Sequence, residues 1–221
     1  MRVSSGSKKR VIRACLAPRG LRVGNQMKRV QAGMQYETQI AQIQQGHIAL
    51  AVCAALYLVW WAIYFRPGAA ETPSVVRAVG VACILGAIVT GFFAVVRIVQ
   101  AQGGLQLLVS AWMFVVAGLV VYFVLLAITK LAFGRPVTTE LALIVGWLVL
   151  EAIALEALFA CGAVGTTMLV VLAIIVALAA VGALICYVLY YQLPMPASFF
   201  DGCGPLVAVL VVSVVLALAG A

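Results

Sequence analysis

The stretch AVGVACILGAIVTGFFAVV, residues 78–96, decides the fold of this chain. It is an unbroken apolar run of 19 residues, with Arg77 directly before it and Arg97 directly after it. Because a helix rises about 1.5 Å per residue, the run is long enough to cross the roughly 30 Å of hydrocarbon in a bilayer. The charged residue at each end lies where such a helix leaves the hydrocarbon. The stretch therefore predicts a transmembrane helix.

Five further apolar runs resemble it, and together the six cover residues 48–65, 78–96, 105–129, 141–161, 163–191 and 205–221. Turn-forming Gly and Pro separate most of the runs, and the alternating polarity of membrane β-strands is absent. The whole chain is 66% hydrophobic and 9% charged, whereas about 25% of a soluble domain is charged. We predict an all-α, polytopic transmembrane helical bundle with six spans and short loops.

The basic residues are concentrated before the first run. Residues 1–46 hold nine of the fourteen Lys and Arg and one acid, Glu37, whereas residues 47–221 hold five basic and five acidic groups. We predict two regions: a basic, disordered tail (1–46), lying on anionic lipid, and a transmembrane domain (47–221). A transit peptide that is removed from the mature protein is the alternative for the tail. Since the excess charge is confined to the tail, no nucleic-acid surface is expected.

Loop charges predict the orientation. With six spans and the N-terminus inside, ten Lys and Arg lie on the inner side and four on the outer side. This distribution favours both termini in the cytoplasm, and we expect the protein in the plasma membrane. Met27 and Met34 are alternative starts, and translation from Met34 would remove the tail charges and favour the opposite orientation.

Glu151 is the residue that most suggests a function. It lies ten residues after Leu141, roughly 15 Å into the fourth span and near the middle of the bilayer. An ionised carboxylate there costs about 2.5 kcal/mol or more, so the acid must be protonated, face the bundle interior or bind a cation. One interpretation is a proton or ion site, in which Trp147, four residues earlier on the same face, shares the cavity. The other is a neutral carboxyl that is hydrogen-bonded to a neighbouring helix, through Thr90, Ser110 or Ser213.

Two structural roles are predicted for other polar and small residues. Glu156 is expected near the same interface as Arg97, where the two would form an ion pair between helices. Small residues recur every fourth position in the second span and predict a helix-packing seam, within the bundle or between protomers; they are Ala78, Ala82, Gly86, Thr90 and Ala94.

The remaining polar residues carry weaker signals. His47, at the start of the first run, is interpreted as a solvated boundary residue, and Asp201 as a helix cap before Pro205. The chain has one histidine, and its six cysteines include no CxxC pair, so neither a metal site nor a disulfide framework is expected. No glycine-rich phosphate loop is present either, and no cofactor is predicted.

Three functions remain open from the sequence. The first is a small transporter- or channel-like protein with a polar intramembrane site around Glu151. The second is a non-catalytic membrane subunit or scaffold that binds a membrane-protein partner, or a second copy of itself, through its helices. The third is an intramembrane enzyme, which is less favoured because no nucleophile or metal-ligand set accompanies Glu151 or Glu156.

Overall fold

The computed structural model describes residues 19–103, 105, 107, 109–134, 139–190, 192–194 and 196–219, with side chains from residue 33 onward. Within these ranges the chain is helical, without a β-strand. The six long helices are α1 (Arg19–Tyr64), α2 (Ser74–Ala101), α3 (Ala111–Phe133), α4 (Thr139–Ala160), α5 (Thr166–Leu189) and α6 (Ala197–Ala219). A short 3₁₀ helix, Ala69–Glu71, joins α1 to α2. Arg135 and Pro136, which the sequence places in a loop, and residues 1–18 of the predicted tail lie outside the described residues.

Each long helix contains a segment that is long and apolar enough to cross a membrane, and in α1 this segment is Gly33–Tyr64. The predicted six-span helical bundle is thereby confirmed, and the chain is a multi-pass membrane protein. Several boundaries differ from those expected. The third span begins at Ala111, after Ser110 in extended conformation, and ends before Gly134, whose φ of 61° allows a left-handed C-cap.

The chain divides into two compact units, Met1–Thr38 and Gln39–Ala221. The described part of the first unit is helical from Arg19 onward, although residues 1–46 were expected to be a disordered tail. Residues 19–46 contain no proline and seven Gln and three Arg, which favour helix. The second unit contains the helical bundle.

The beginning of α6 also differs from the prediction. The helix begins at Ala197, two turns before Pro205, so Asp201 lies inside the helix and does not cap it. Proline removes one backbone donor, which leaves the carbonyl four residues earlier without its helical partner. The helix nevertheless continues, and Gly202 lies so close to the Trp61 ring that a Cβ atom would overlap it. The close approach of α6 to α1 therefore depends on this glycine.

The buried residues of the second helix overlap the predicted stripe only in part. Its buried residues include Gly80, Ala87, Ala94 and Ala101, a spacing of seven. A spacing of four advances about 40° around a helix at each step, so the predicted stripe winds away from any one neighbour, whereas a spacing of seven drifts by only about 20°. Ala78 and Ala82 are accordingly exposed, Gly86 and Thr90 are partly buried, and Ala94 is buried.

The partner of this seam is α1. A Cβ atom on Gly80 would lie 2.6 Å from the Tyr64 ring, and one on Gly86 would lie 3.1 Å from Leu56. The Tyr64 hydroxyl also donates a hydrogen bond of 3.0 Å to the Arg77 carbonyl. Helices α1 and α2 thus form a closely packed hairpin.

Helix α4 is the most enclosed of the six. In its most apolar window 61% of the residues are buried inside the protein, against 6% for α3. Its buried residues contribute to both hydrophobic clusters of the bundle. The helix that carries two acids is therefore surrounded by protein, where polar side chains find partners that lipid does not offer.

The contact between α3 and α4 depends on one glycine, and its replacement gives a test of the packing. Gly118→Ala places a methyl group on the Val149 side chain, and we expect this overlap to lower the free energy of unfolding by about 1–3 kcal/mol. Gly146→Ala on α4 is the matched control, because no atom lies within 4 Å of its Cβ position. Unfolding in SDS micelles measures both variants. Adding Val149→Ala to Gly118→Ala is expected to restore part of the loss; equal stability of the two glycine variants would contradict this packing.

Candidate functional site: a buried histidine–glutamate pair

The site begins with two residues of α4. Glu151 is 0% exposed and Trp147 is 7% exposed. The Trp147 Nε1–H donates a hydrogen bond of 2.6 Å to Glu151 Oε1. The two side chains therefore lie together on one face of α4, as their spacing of four residues predicts. Such a short bond is typical of a strong interaction between an N–H donor and a carboxyl group.

The second oxygen of Glu151 meets His47 of α1. The distance from His47 Nε2 to Glu151 Oε2 is 3.0 Å, and both side chains are 0% exposed. The other imidazole nitrogen, Nδ1, lies 2.9 Å from the carbonyl oxygen of Ile43. His47 is thus held between its own helix and Glu151, and the interpretation of this residue as a solvated boundary residue is wrong.

His47 is buried because α1 extends well before the apolar run that starts at residue 48. Gln39, Ile43 and His47, each four residues apart, are all buried. Gly46 allows the close approach of α2, since a Cβ atom there would lie 2.6 Å from Ile98 and 3.3 Å from the Ala94 carbonyl oxygen. The spacing of Gln39, Ile43 and His47 was the sequence signal that could have identified this buried face. Hydropathy concealed it, because glutamine and histidine lower the mean hydropathy of the segment.

The hydrogen bonds determine how many protons the pair holds. A carbonyl oxygen only accepts, so the contact with Ile43 requires a proton on His47 Nδ1. The contact between Nε2 and Oε2 then requires one further proton, which belongs either to the histidine or to the glutamic acid. In the first case the pair is an imidazolium and a carboxylate; in the second it is a neutral imidazole and a carboxylic acid. Both arrangements have zero net charge and share one proton along a 3.0 Å axis.

None of the three hydrogen-bond partners predicted for Glu151 bonds to it. Thr90 Oγ1 donates to the carbonyl oxygens of Gly86 and Ala87 in its own helix, at 2.8 and 3.2 Å. Ser110 is exposed. Ser213 is 0% exposed, and its hydroxyl has no hydrogen-bond partner among the described residues. The expectation of a neighbouring helix as partner was right, but the three residues named for it were wrong.

The predicted ion pair between Glu156 and Arg97 is not formed in the described part of the chain. Glu156 Oε1 accepts a hydrogen bond of 2.7 Å from the backbone N–H of Val109, just before α3. The Arg97 guanidinium lies over the Phe93 ring, 4.9 Å from its centroid. Glu156 therefore anchors the connection between α2 and α3 through this hydrogen bond to the backbone.

A cavity of about 390 Å³ lies beside Trp147, the residue that donates a hydrogen bond to Glu151. It is bounded by α1, α2, α4, α5 and α6, and Trp147 forms part of its wall. Two acids, Glu140 and Asp201, also line it, and no Lys, Arg or His is among the described lining residues. Trp147 therefore has two roles in the structure: it borders the cavity, and its N–H binds the carboxyl group of Glu151.

Neither a family model, nor a curated protein, nor a solved structure matches this chain. Its function must therefore be argued from the site itself. Among the described residues, no three His, Cys, Asp or Glu side chains are close enough together to hold a metal ion. What the geometry of the site offers is two ionisable side chains that are fully buried and joined by one hydrogen bond.

Proposed function

We propose that this chain is a proton-coupled membrane transporter in which the His47–Glu151 pair carries the proton. The observation that supports the proposal is the fully buried pair, in which the hydrogen bonds to Ile43 and Glu151 account for one shared proton. Removing that proton leaves a net negative charge inside the membrane, and adding a second one leaves a net positive charge. Either change is expensive in a low-dielectric interior, so a change of protonation favours a rearrangement that exposes the pair to water.

The burial of the pair favours a transporter over an open channel. Side chains that line a permanent aqueous pore are solvated, whereas His47 and Glu151 are both 0% exposed. Intramembrane acids and histidines that face the interior of a bundle are typical of proton relays in pumps and transporters. A closed site that is separated from a cavity by one side chain, Trp147, is compatible with alternating access.

Polar atoms on the side of the pair away from the cavity also support the proposal. Gln39 is buried eight residues before His47 on α1, and its Nε2 donates a hydrogen bond of 2.7 Å to the Gly103 carbonyl oxygen. Gln39 Oε1, Gln102 Nε2 and Arg97 Nε are buried atoms without a hydrogen-bond partner in the described residues. Water ordinarily satisfies such atoms. If this region is hydrated, solvent lies roughly 12 Å from His47, which is the length of eight helical residues.

Glu151→Gln tests the proposal because it removes the titratable proton while keeping the shape of the side chain. The Gln oxygen accepts from Trp147 Nε1, and its amide donates to His47 Nε2, so we expect the protein to fold normally. Purified protein would be reconstituted in liposomes that contain a pH-sensitive dye, and proton flux followed after a pH step, with and without a membrane potential. We expect flux in the wild type and its near-complete loss in Glu151→Gln.

Glu71→Gln is the matched control, since Glu71 is an exposed acid in the 3₁₀ helix between α1 and α2. It is expected to retain wild-type flux. Unchanged flux in Glu151→Gln would show that the pair does not carry the proton. Absence of flux in the wild type in both directions, with and without a potential, would overturn proton transport altogether.

A further inference from the structure

The cavity beside Trp147 has walls of a particular chemistry. Six aromatic side chains line it, contributed by α1, α2, α4 and α5 and the residue that caps α5: Tyr57, Trp61, Phe92, Trp147, Tyr187 and Tyr190. Its volume of about 390 Å³ lies within the range of small-molecule sites, roughly 300–1,000 Å³. Aromatic faces attract cations through the negative potential above the ring. The walls therefore suit a ligand that is both hydrophobic and positively charged.

Asp201 gives the cavity a negative group. It lies in the first two turns of α6, where it lines the cavity, and its buried Oδ2 has no hydrogen-bond partner in the described residues. Glu140, near the beginning of α4, lines the same cavity. No basic side chain is among the described lining residues, and no ion pair of Asp201 is formed in the described part of the chain. A carboxylate in such surroundings is stabilised by a cation that enters the cavity.

The dimensions and the donor set exclude a bare metal ion as the natural occupant. The lining contains two carboxylates and otherwise mostly apolar and aromatic groups, and no cluster of three potential ligands is present in the described residues. Hard metal ions need about six or more oxygen ligands. An organic cation instead fills the volume, contacts the rings and places its charge near Asp201.

The surroundings of the cavity suit entry of such a ligand from the membrane. Ile88 and Phe92 of α2 and Leu143 of α4 line the cavity, and they are also 62%, 73% and 61% exposed on the bundle surface. In a bilayer these side chains contact lipid. A hydrophobic cation that partitions into the membrane therefore reaches the cavity past an apolar edge.

We infer that this cavity binds a hydrophobic, monovalent organic cation, with Asp201 as its counter-charge and the aromatic side chains as its walls. The inference rests on the proposed function, because it names the substrate class of the same transporter. Trp147 connects the two sites: its ring borders the cation and its N–H holds the proton-carrying Glu151. Exchange of the organic cation for a proton is the coupling that this arrangement predicts.

Binding of tetraphenylphosphonium to the purified full-length protein tests the inference. Equilibrium dialysis in detergent would compare it with tetraphenylborate, an anion of nearly the same size and shape. We expect saturable binding of the cation only. Asp201→Asn is expected to weaken that binding by on the order of tenfold or more, whereas Asp201→Glu, which keeps the charge, is expected to retain most of it.

The outcomes separate this inference from the proposed function. Equal binding of the cation and the anion, unchanged binding in a folded Asp201→Asn protein, or no saturable binding in the wild type would each overturn the cation site. A thermal melt shows whether Asp201→Asn is folded. If it is not folded, Asp201→Glu decides the matter: strong binding of the cation by this variant would support the assigned role of the charge, and weak binding would contradict it. Glu151→Gln is expected to bind the cation while lacking proton flux. Cation binding by a wild type that moves no protons would leave the cation site in place and remove the proton-coupled function.

Discussion

Replacing either Glu151 or His47 with Leu is expected to lower the free energy of unfolding by about 3–5 kcal/mol, whereas replacing both together costs far less than the sum. Each single change leaves one buried polar partner without its hydrogen bond, which is the expensive way to break a buried pair. The double variant removes both groups and fills their volume with apolar atoms. The double variant is still destabilised by about 1–3 kcal/mol, because the Trp147 N–H loses its hydrogen-bond acceptor.

This double-mutant cycle is measured by SDS-induced unfolding of the purified variants. Glu151→Gln is the matched control, because it keeps the hydrogen bonds to Trp147 and His47 and is expected to remain within about 1 kcal/mol of the wild type. Additive effects of the two leucine substitutions would show that His47 and Glu151 do not interact. That result would contradict the 3.0 Å contact on which the site is built.

Shortening Trp147 is expected to have the second large effect. Trp147→Ala removes a large buried ring and should cost about 3–5 kcal/mol. Trp147→Phe keeps most of the ring and loses the N–H that donates to Glu151 at 2.6 Å. Since this donor faces a carboxyl group, its loss is expected to cost about 1.5–3 kcal/mol. Flux measured in liposomes should also change in Trp147→Phe, because the group that positions Glu151 is missing.

Trp61→Phe is a close control for this experiment. Trp61 is also 7% exposed, and its Nε1–H donates to a neutral acceptor, the Phe199 carbonyl oxygen, at 3.2 Å. The same substitution there is expected to cost about 1 kcal/mol or less. Equal losses for the two Phe variants would show that the bond from Trp147 to Glu151 has no special strength.

The candidate site shows how far sequence reasoning can reach in a membrane protein. Glu151 and Trp147 were identifiable because both lie on one helix, where spacing alone determines which side chains meet. His47 was missed because it is 104 positions away from Glu151 and lies outside the apolar run on which the first span was predicted. No local pattern reports a contact between helices that are distant in the chain.

The predictions for the seam on α2 and for the beginning of α6 differ from the structure for a related reason. Small residues occur in α2 at spacings of both four and seven; the tertiary structure buries Gly80, Ala87 and Ala94 and places Gly80 and Gly86 against α1. Pro205 is a strong local signal for a helix start, yet α6 begins two turns earlier, where Gly202 meets Trp61. In each case packing against α1 prevails over the local preference.

The 19-residue run at 78–96 and its five counterparts determined by themselves that the chain is a six-span helical membrane protein. Hydrocarbon requires every backbone polar group to be paired within its own segment, so length and composition are sufficient for that conclusion. Tertiary structure alone decided which polar side chains meet inside the bundle. Lipid offers no partner to His47, Glu151 or Trp147, so these groups depend on one another, and the direction in which the helices cross decides which partner each one finds.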